Sequence, residues 1–420
     1  STEGEATVIG LVKDGKPVER IDAGVEAVVI TNQTPFYGES GGQMGDAGTI
    51  TSDHTRETIV LDTLKPLGRL HAHQVKVAEG VIAVGDTVKL TVDAARRDRI
   101  RANHSATHLL HAALRNRLGG HVTQKGSLVA EDRFRFDFSH PKALTPEEIA
   151  DVEADVNAQI RGNEAVTTRL MTPDDAVAAG ALALFGEKYG DEVRVLSMGH
   201  LDDHSYSVEL CGGTHVRALG DIALFKIISE SAVSSGVRRI EALTGDAARL
   251  WLNGRDEALK ASASALKTSP DDVPARVVQL AEALKKAERE LADAKKALAM
   301  GGSGSAAAGP AVEQVGDTAF LAQVVDGLDP KELRGTVDSL KKQVGSGVAM
   351  LVAVNDGRAS VAVGVTDDKT ASLSAVDLVK AAVAALGGQG GGGRPDMAQG
   401  GGPDGGAADA AVAAVKAALA

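Results

Sequence analysis

Only one of the 420 residues is a cysteine, Cys211. A lone thiol excludes a disulfide framework and fits a reducing compartment. Aromatic residues are nearly as scarce, 3% of the chain against 43% hydrophobic overall, so packed cores are expected to be aliphatic. No run of about 18 apolar residues occurs, which leaves nothing to span a membrane as a helix. The opening STEGEATVIG holds neither Met nor an apolar signal core. No export signal is expected, and the chain reads as a cytoplasmic fragment of a longer protein. Basic charge is also in deficit: 45 Lys+Arg against 57 Asp+Glu leave −12. That argues against a surface basic throughout, and local patches decide whether a polyanion binds. The candidates are Arg96, Arg97, Arg99 and Arg101, and then Arg238 and Arg239. Surface arginines are commonly just solvated helix faces.

What is present centres on Cys211-Gly212-Gly213-Thr214-His215, in which a histidine follows the cysteine at i+4. A second pair at the same spacing, His104 and His108, lies in HSATHLLH. On a helix, i and i+4 share one face and their side chains converge. One thiolate and three imidazoles suit tetrahedral zinc, one ion per chain. A lone HxxxH is weak, because helices carry such pairs by chance and buried histidines often only satisfy hydrogen bonds; the second pair strengthens it. A zinc protease would need Glu directly after the first histidine, where this chain has Ser105. Four filled positions suggest a structural zinc, whereas the two glycines beside the thiol leave room for a substrate. The remaining histidines, His111 among them, are read as surface or core residues.

The length implies several domains in an α+β multidomain architecture. Residues 6–12, 25–30, 58–61 and 88–92 are β-branched runs between turn signals, as in a small β-barrel over 1–95. Within it, TPFYGESGGQMGDAG at 34–48 reads either as a turn needing positive φ or as a ligand-facing loop around Gly41-Gly42. From Ala94 the period becomes helical for roughly 25 residues, up to Gly119-Gly120. This opens an α/β core over 96–245, with strands at 124–129, 133–138, near 193, 205–208, 225–229 and 236–243. Thr145 and Glu148 form a capping box for a helix over 146–160. Region 246–310 is helical and then linker. Leu280, Leu284, Ala287, Leu291, Ala294 and Leu298 make a heptad seam, read as half of a helical hairpin with segment 247–267. GGSGSAAAG at 301–309 is linker-like. A small α/β domain over 311–420 follows, with strands at 320–325, 348–354 and 360–365 and helices at 329–342, 375–385 and 407–419. Its GGQGGGGRPDMAQGGGPDGG is read as a glycine nest for phosphate or a nucleic-acid backbone.

HSATHLLHAALR, VTQKGSLV, RFDFSH, CGGTH and GDIALFKIISES…GVRRIEALTG, in that order, resemble the editing domain of alanyl-tRNA synthetase. TPFYGESGGQMGDAG resembles the glycine-rich motif of that family's barrel, and GGGGRPDMAQGGG its C-terminal RNA-binding domain, shared with DHH phosphoesterases. The resemblance runs over nearly the whole chain and implies that the ligase active site would lie before residue 1. It implies zinc-dependent hydrolysis of Ser-tRNA(Ala) and Gly-tRNA(Ala), with His104, His108, Cys211 and His215 as ligands. Gln124, with Cys211, would act at the aminoacyl ester. Gly41, Gly42, Gln43, Gly212, Gly213, Thr214 and Arg238 would face the substrate. Arg394 would help the C-terminal domain grip the tRNA elbow, and the helical or C-terminal region would allow a homodimer. The alternatives are a tRNA-binding module with purely structural zinc, or a free-standing trans-editing protein. A phosphoesterase is disfavoured because no Asp-His-His catalytic half is visible.

Overall fold

The structure, a computed structural model, describes residues 1–178, 180, 181, 191–299 and 311–420. The chain divides into two compact units, Ser1–Ala261 and Ser262–Ala420. The segment at 301–309 and the side chain of Leu298 lie outside the described residues.

The first unit begins with β1 (Glu3–Lys13), β2 (Lys16–Val18), β3 (Arg20–Asp22), β4 (Glu26–Thr31), β5 (Gly48–Thr51), β6 (Thr55–Leu64), β7 (Ala72–Ala83) and β8 (Thr87–Val92). Six of these run in the order β1-β4-β7-β6-β5-β8, and β8 pairs back onto β1, which closes an antiparallel barrel. The interior is aliphatic: Val29, Ile50, Val60, Val75, Val88 and Leu90 point inward. A bulge between Val8 and Gly10 shifts the inward set of β1 from the even positions Ala6 and Val8 to Leu11. Such a slip flips which face each later residue presents.

Helix α1 (Ala94–Leu118) follows directly, started by the Asp93 side chain accepting from Arg96 N at 2.9 Å. After it come β9 (Gln124–Val129), β10 (Phe134–Ser139), α2 (Pro146–Gly162), β11 (Thr167–Met171), α3 (Pro173–Ala178), β12 (Val193–Leu201), β13 (His204–Leu210), β14 (Phe225–Ser234), β15 (Val237–Thr244) and α4 (Gly245–Leu266). The capping box of α2 is formed, with Thr145 and Glu148 bonded reciprocally. Two antiparallel sheets result, β14-β15-β10-β9 and β11-β12-β13. Helix α1 is buried along most of its length, packing Leu109, Leu110 and Leu114 into a core that also holds Phe134, Phe136, Phe138 and Phe225. Four of the seven phenylalanines thus gather in the core of the histidine-bearing helix.

Barrel and core are joined by a buried ion pair between Asp46 of the 34–48 loop and Arg97 of α1, whose guanidinium also donates to Pro35 O at 2.6 Å. Arg96 bonds Gly45 O and Glu131, Arg99 bonds Glu131, and Arg101 bonds Asp98. The arginine patch before the histidines is therefore taken up by intramolecular partners, and no row of free cations stands there.

The second unit holds α5 (Val273–Ala299), β16 (Glu313–Val315), β17 (Thr318–Asp326), α6 (Leu333–Val344), β18 (Gly347–Asn355), β19 (Arg358–Val365), α7 (Ala375–Ala385), β20 (Gly391–Arg394), β21 (Met397–Gly402) and α8 (Ala408–Leu419). Its sheet runs β16-β17-β18-β19-β21-β20. Val348, Met350 and Val352 of β18 face α7 and α8, while Ala349, Leu351 and Ala353 face α6. Alternation along one strand therefore separates the two helical layers. The seam of α5 is open: Leu280, Leu284 and Leu291 are 41%, 62% and 57% exposed.

The glycine-rich stretch departs from the expected nest. It forms the hairpin β20–β21, and α7 lies against Gly391, Gly400 and Gly402. A Cβ at Gly391 or Gly400 would meet Val379, and one at Gly402 would meet Leu386. Close helix–sheet approach explains these glycines.

Candidate metal centre

The i,i+4 spacing on α1 puts His104 and His108 on one face, and the loop after β13 brings Cys211 and His215 to meet them. One ligand atom from each of the four lies within 4.8 Å of all the others. Cys211 Sγ is 3.2 Å from His215 Nε2 and 3.5 Å from His104 Nε2. Each imidazole is oriented through its other nitrogen. His104 Nδ1 meets Gln43 Oε1 at 2.6 Å, His108 Nδ1 meets Glu209 Oε2 at 2.6 Å, and His215 Nδ1 meets Ser105 Oγ at 3.1 Å. Such outer contacts fix the tautomer and aim Nε2 at a shared point. His108 Nε2 is buried there without a hydrogen-bond partner. A buried orphan beside a thiol and two imidazoles is what a bound cation would satisfy, so the residues fit a metal.

Charge reinforces the fit. Burial disfavours the Cys211 thiolate, but the His108 and His104 imidazoles outweigh it and hold the thiol well below its ordinary range. Burial also opposes charge on His108, yet Glu209 and Cys211 beside it push its pKa up to about 10. Burial would raise the Glu209 carboxyl; His108 instead holds it below the usual carboxylate range. Burial and then His104 push His215 down to about 3, so it stays neutral, as a ligand must. The second acceptor oxygen of Glu209 holds His111 Nδ1 at 2.8 Å.

Above the four donors opens a cavity of about 400 Å³ that reaches His104, His108 and Cys211 and is walled by Tyr37, Gly41, Gln124, Ser127 and Gly212. Burial pushes the Tyr37 hydroxyl up to about 12, and it donates to Ser40 O at 3.1 Å. Gly41 and Gly42 have φ of 58° and 82°, a left-handed pair that turns the barrel loop into the core. Gly42 lies against the Ser127 carbonyl, while Val129 N donates to Gly42 O at 2.7 Å.

Gln43, expected to face the substrate, is instead fully buried behind His104 and the cysteine loop. Its Oε1 accepts from Thr214 N at 2.9 Å, and its Nε2 donates to Thr214 Oγ1 at 2.9 Å. Gly213 packs on the His104 ring so closely that a Cβ would overlap it, whereas a Cβ at Gly212 would meet nothing within 4 Å. Arg238, expected at the substrate, is held in a bidentate pair by Glu230 at 2.6 Å, and Arg239 likewise by Asp137 at 2.7 and 2.9 Å. Arg394 sits in the second unit, exposed and paired with Asp396.

Sequence reasoning missed Glu209 and the contact Ser105 makes with His215, and set His111 aside. The only signal for Glu209 was its place near the end of β13, two residues before Cys211.

The model of tRNA synthetases class II (A) matches residues 1–96, and that of the threonyl and alanyl tRNA synthetase second additional domain matches 193–241. A DHHA1 domain matches 317–420. Alanine–tRNA ligases from Sphingopyxis alaskensis and Rhizorhabdus wittichii are 84% and 71% identical over all of this chain, which covers 48% of each. That of Parvibaculum lavamentivorans is 61% identical, over 99% of this chain and 47% of its own length. Among solved structures, the C-Ala domain of Aquifex aeolicus alanyl-tRNA synthetase is 30% identical, covering 26% of this chain and 96% of that one, with a TM-score of 0.25. The chain therefore belongs to the alanine–tRNA ligase family and spans about half the length of the curated relatives it matches.

Proposed function

We propose that this site hydrolyses the ester of wrongly charged alanine tRNA, releasing serine or glycine from the 3′-terminal ribose. The observation that carries the reading is the converging thiol and imidazole set at the base of an open cavity walled by Gln124 and Gly212. Serine and glycine differ from alanine by one small group. Such a difference discriminates only about 10–200-fold in one binding pocket, so a second, hydrolytic site is called for.

Zinc is the metal this donor set suits, and when bound it supplies a Lewis acid at the cavity floor. The chain's own residues do the rest. Cys211 and the three histidines hold the ion. The Gln124 side chain selects and orients the aminoacyl group, and the missing side chain at Gly212 leaves room for the ribose. Gln43 and Thr214 hold the loop in place. In the reaction, a water oxygen bonds to the acyl carbon, the ester C–O bond breaks, and the ribose oxygen leaves with a proton.

The C-terminal domain would hold the tRNA elbow, with the exposed Arg394 among its contacts; the likeness of GGGGRPDMAQGGG to the family's RNA-binding domain supports this. The uncovered leucines of α5 support pairing with a second copy along that seam. Incubation with seryl-tRNA(Ala) is expected to release serine, and Cys211→Ala to stop it. Equal release by both proteins would remove the metal centre from the mechanism. Binding of tRNA without release, together with unfolding on chelation, would favour a purely structural zinc.

A further inference from the structure

We infer that Lys65 and Arg194 form a phosphate subsite at the mouth of this cavity, taking the phosphodiester that joins the terminal aminoacyl nucleotide to its strand. The inference rests on the deacylation reading and assigns residues that it leaves unused.

Both cations line the cavity that exposes His104, His108 and Cys211. Lys65 follows β6 on the barrel side, and Arg194 lies on β12 of the core. Neither forms an ion pair with any described carboxylate, although Glu192 borders the same mouth. That sets them apart from Arg97, Arg117, Arg238 and Arg239 of the same unit, each claimed by an Asp or Glu. A half-buried guanidinium has five donors to satisfy. Arg194 uses one on Gly213 O at 2.5 Å, and its own carbonyl accepts from Cys211 N at 3.1 Å. It is thereby held against the loop that carries the thiol ligand, while donors remain for an anion. Planar, bidentate capture of a phosphate is the chemistry a guanidinium performs best, with a lysine adding point charge.

A neighbouring depression offers room for the strand. On the other side of Gly212-Gly213 lies a second depression of about 550 Å³, lined by His71, Arg101, Arg194 and Thr214. Arg194 borders both depressions together with Tyr37, Gly212 and Gly213, and at Gly212 no atom stands within 4 Å of a Cβ position. Arg101 in the second depression keeps a buried Nε without a partner. A strand lying in that depression would pass between Lys65 and Arg194 and present its last ribose to the metal centre. In a chain of net charge −12, such a lane is where an otherwise repelled polyanion is admitted.

The test compares hydrolysis of 3′-O-seryl-adenosine with that of its 5′-phosphate, and titrates adenosine against adenosine 5′-phosphate, all with the full zinc-loaded chain. The 5′-phosphate is expected to lower KM about tenfold, the size of one charge-assisted contact, with little change in kcat. Lys65→Gln should bring that ratio close to one, and Lys76→Gln, an equal charge change on an exposed barrel strand, should keep it. Arg194→Lys, with zinc content measured alongside, should reduce the ratio in part. Equal KM values for the two esters, or a ratio kept in Lys65→Gln, would overturn the subsite. If neither ester is hydrolysed, the deacylation reading fails separately. The titrations then decide: tighter binding of the nucleotide that Lys65→Gln abolishes upholds the subsite, and equal binding overturns it.

Discussion

The Nδ1 of His104 lies 2.6 Å from Oε1 of Gln43, a residue contributed by the barrel loop to a ligand on the core's first helix. The same oxygen accepts the Thr214 amide, so one buried amide group ties the barrel, α1 and the cysteine loop together. The candidate metal centre is therefore not a property of the core alone.

Gln43→Ala is expected to lower zinc affinity by about 10–100-fold, the usual effect of removing an outer-shell partner. Competition with a chromophoric chelator measures it. Glu209→Gln should act similarly, because it removes the charge on which both His108 and His111 lean. Wild-type affinity in both variants would show that the ligands hold their orientation unaided.

The two glycines of the loop should separate. Gly213→Ala drives a methyl group into the His104 ring, and is expected to cost about 1–3 kcal/mol and to release the metal. Gly212→Ala meets open space, so zinc content and melting temperature should hold while KM for the ester rises. Calorimetry and metal analysis on the pair check this; equal destabilisation would contradict the packing.

Acid should weaken the metal-free protein in a defined window. His215 at about 3 lies below its unfolded value of roughly 6.5, so its contribution is present above that pH and lost as pH falls toward 3. Cys211 and Glu209, also held low, lose stability in the same direction. His108, raised to about 10, contributes fully throughout this window. Melting of chelator-treated chain from pH 7 to 4 is expected to show the decline, and His215→Gln to flatten it. An unchanged slope in that variant would reject the assignment.

Arg97→Met would strand Asp46, which is 1% exposed, without its cation. Breaking a buried pair from one side typically costs about 3–5 kcal/mol. Urea unfolding followed by the fluorescence of Trp251, in the same unit, reports the loss; a shift below about 1 kcal/mol would mean that water replaces the pair.

Much of this was legible from local pattern. The helix over 94–118 and the capping box at Thr145 and Glu148 rest on near-neighbour physics that sequence spacing displays directly. The two i,i+4 pairs were visible for the same reason. Strands β5 and β7 escaped notice, because β7 buries His73 at a position that reads as polar, and its ring is satisfied by Val29 O and Thr34. The C-terminal glycines misled because a glycine run looks alike whether it wraps an anion or lets Val379 and Val383 press on a sheet.

Ligand types and spacings were enough to point to a metal site, since metal preference depends on which atoms are offered. Partners for those ligands came only with the fold. Gln43 lies 61 residues from His104, and Glu209 lies 101 from His108. Nothing local links such pairs: long-range strand pairing and packing bring them together, and that same packing takes the arginine patch into ion pairs while Arg194 meets no described carboxylate and bonds Gly213 O instead.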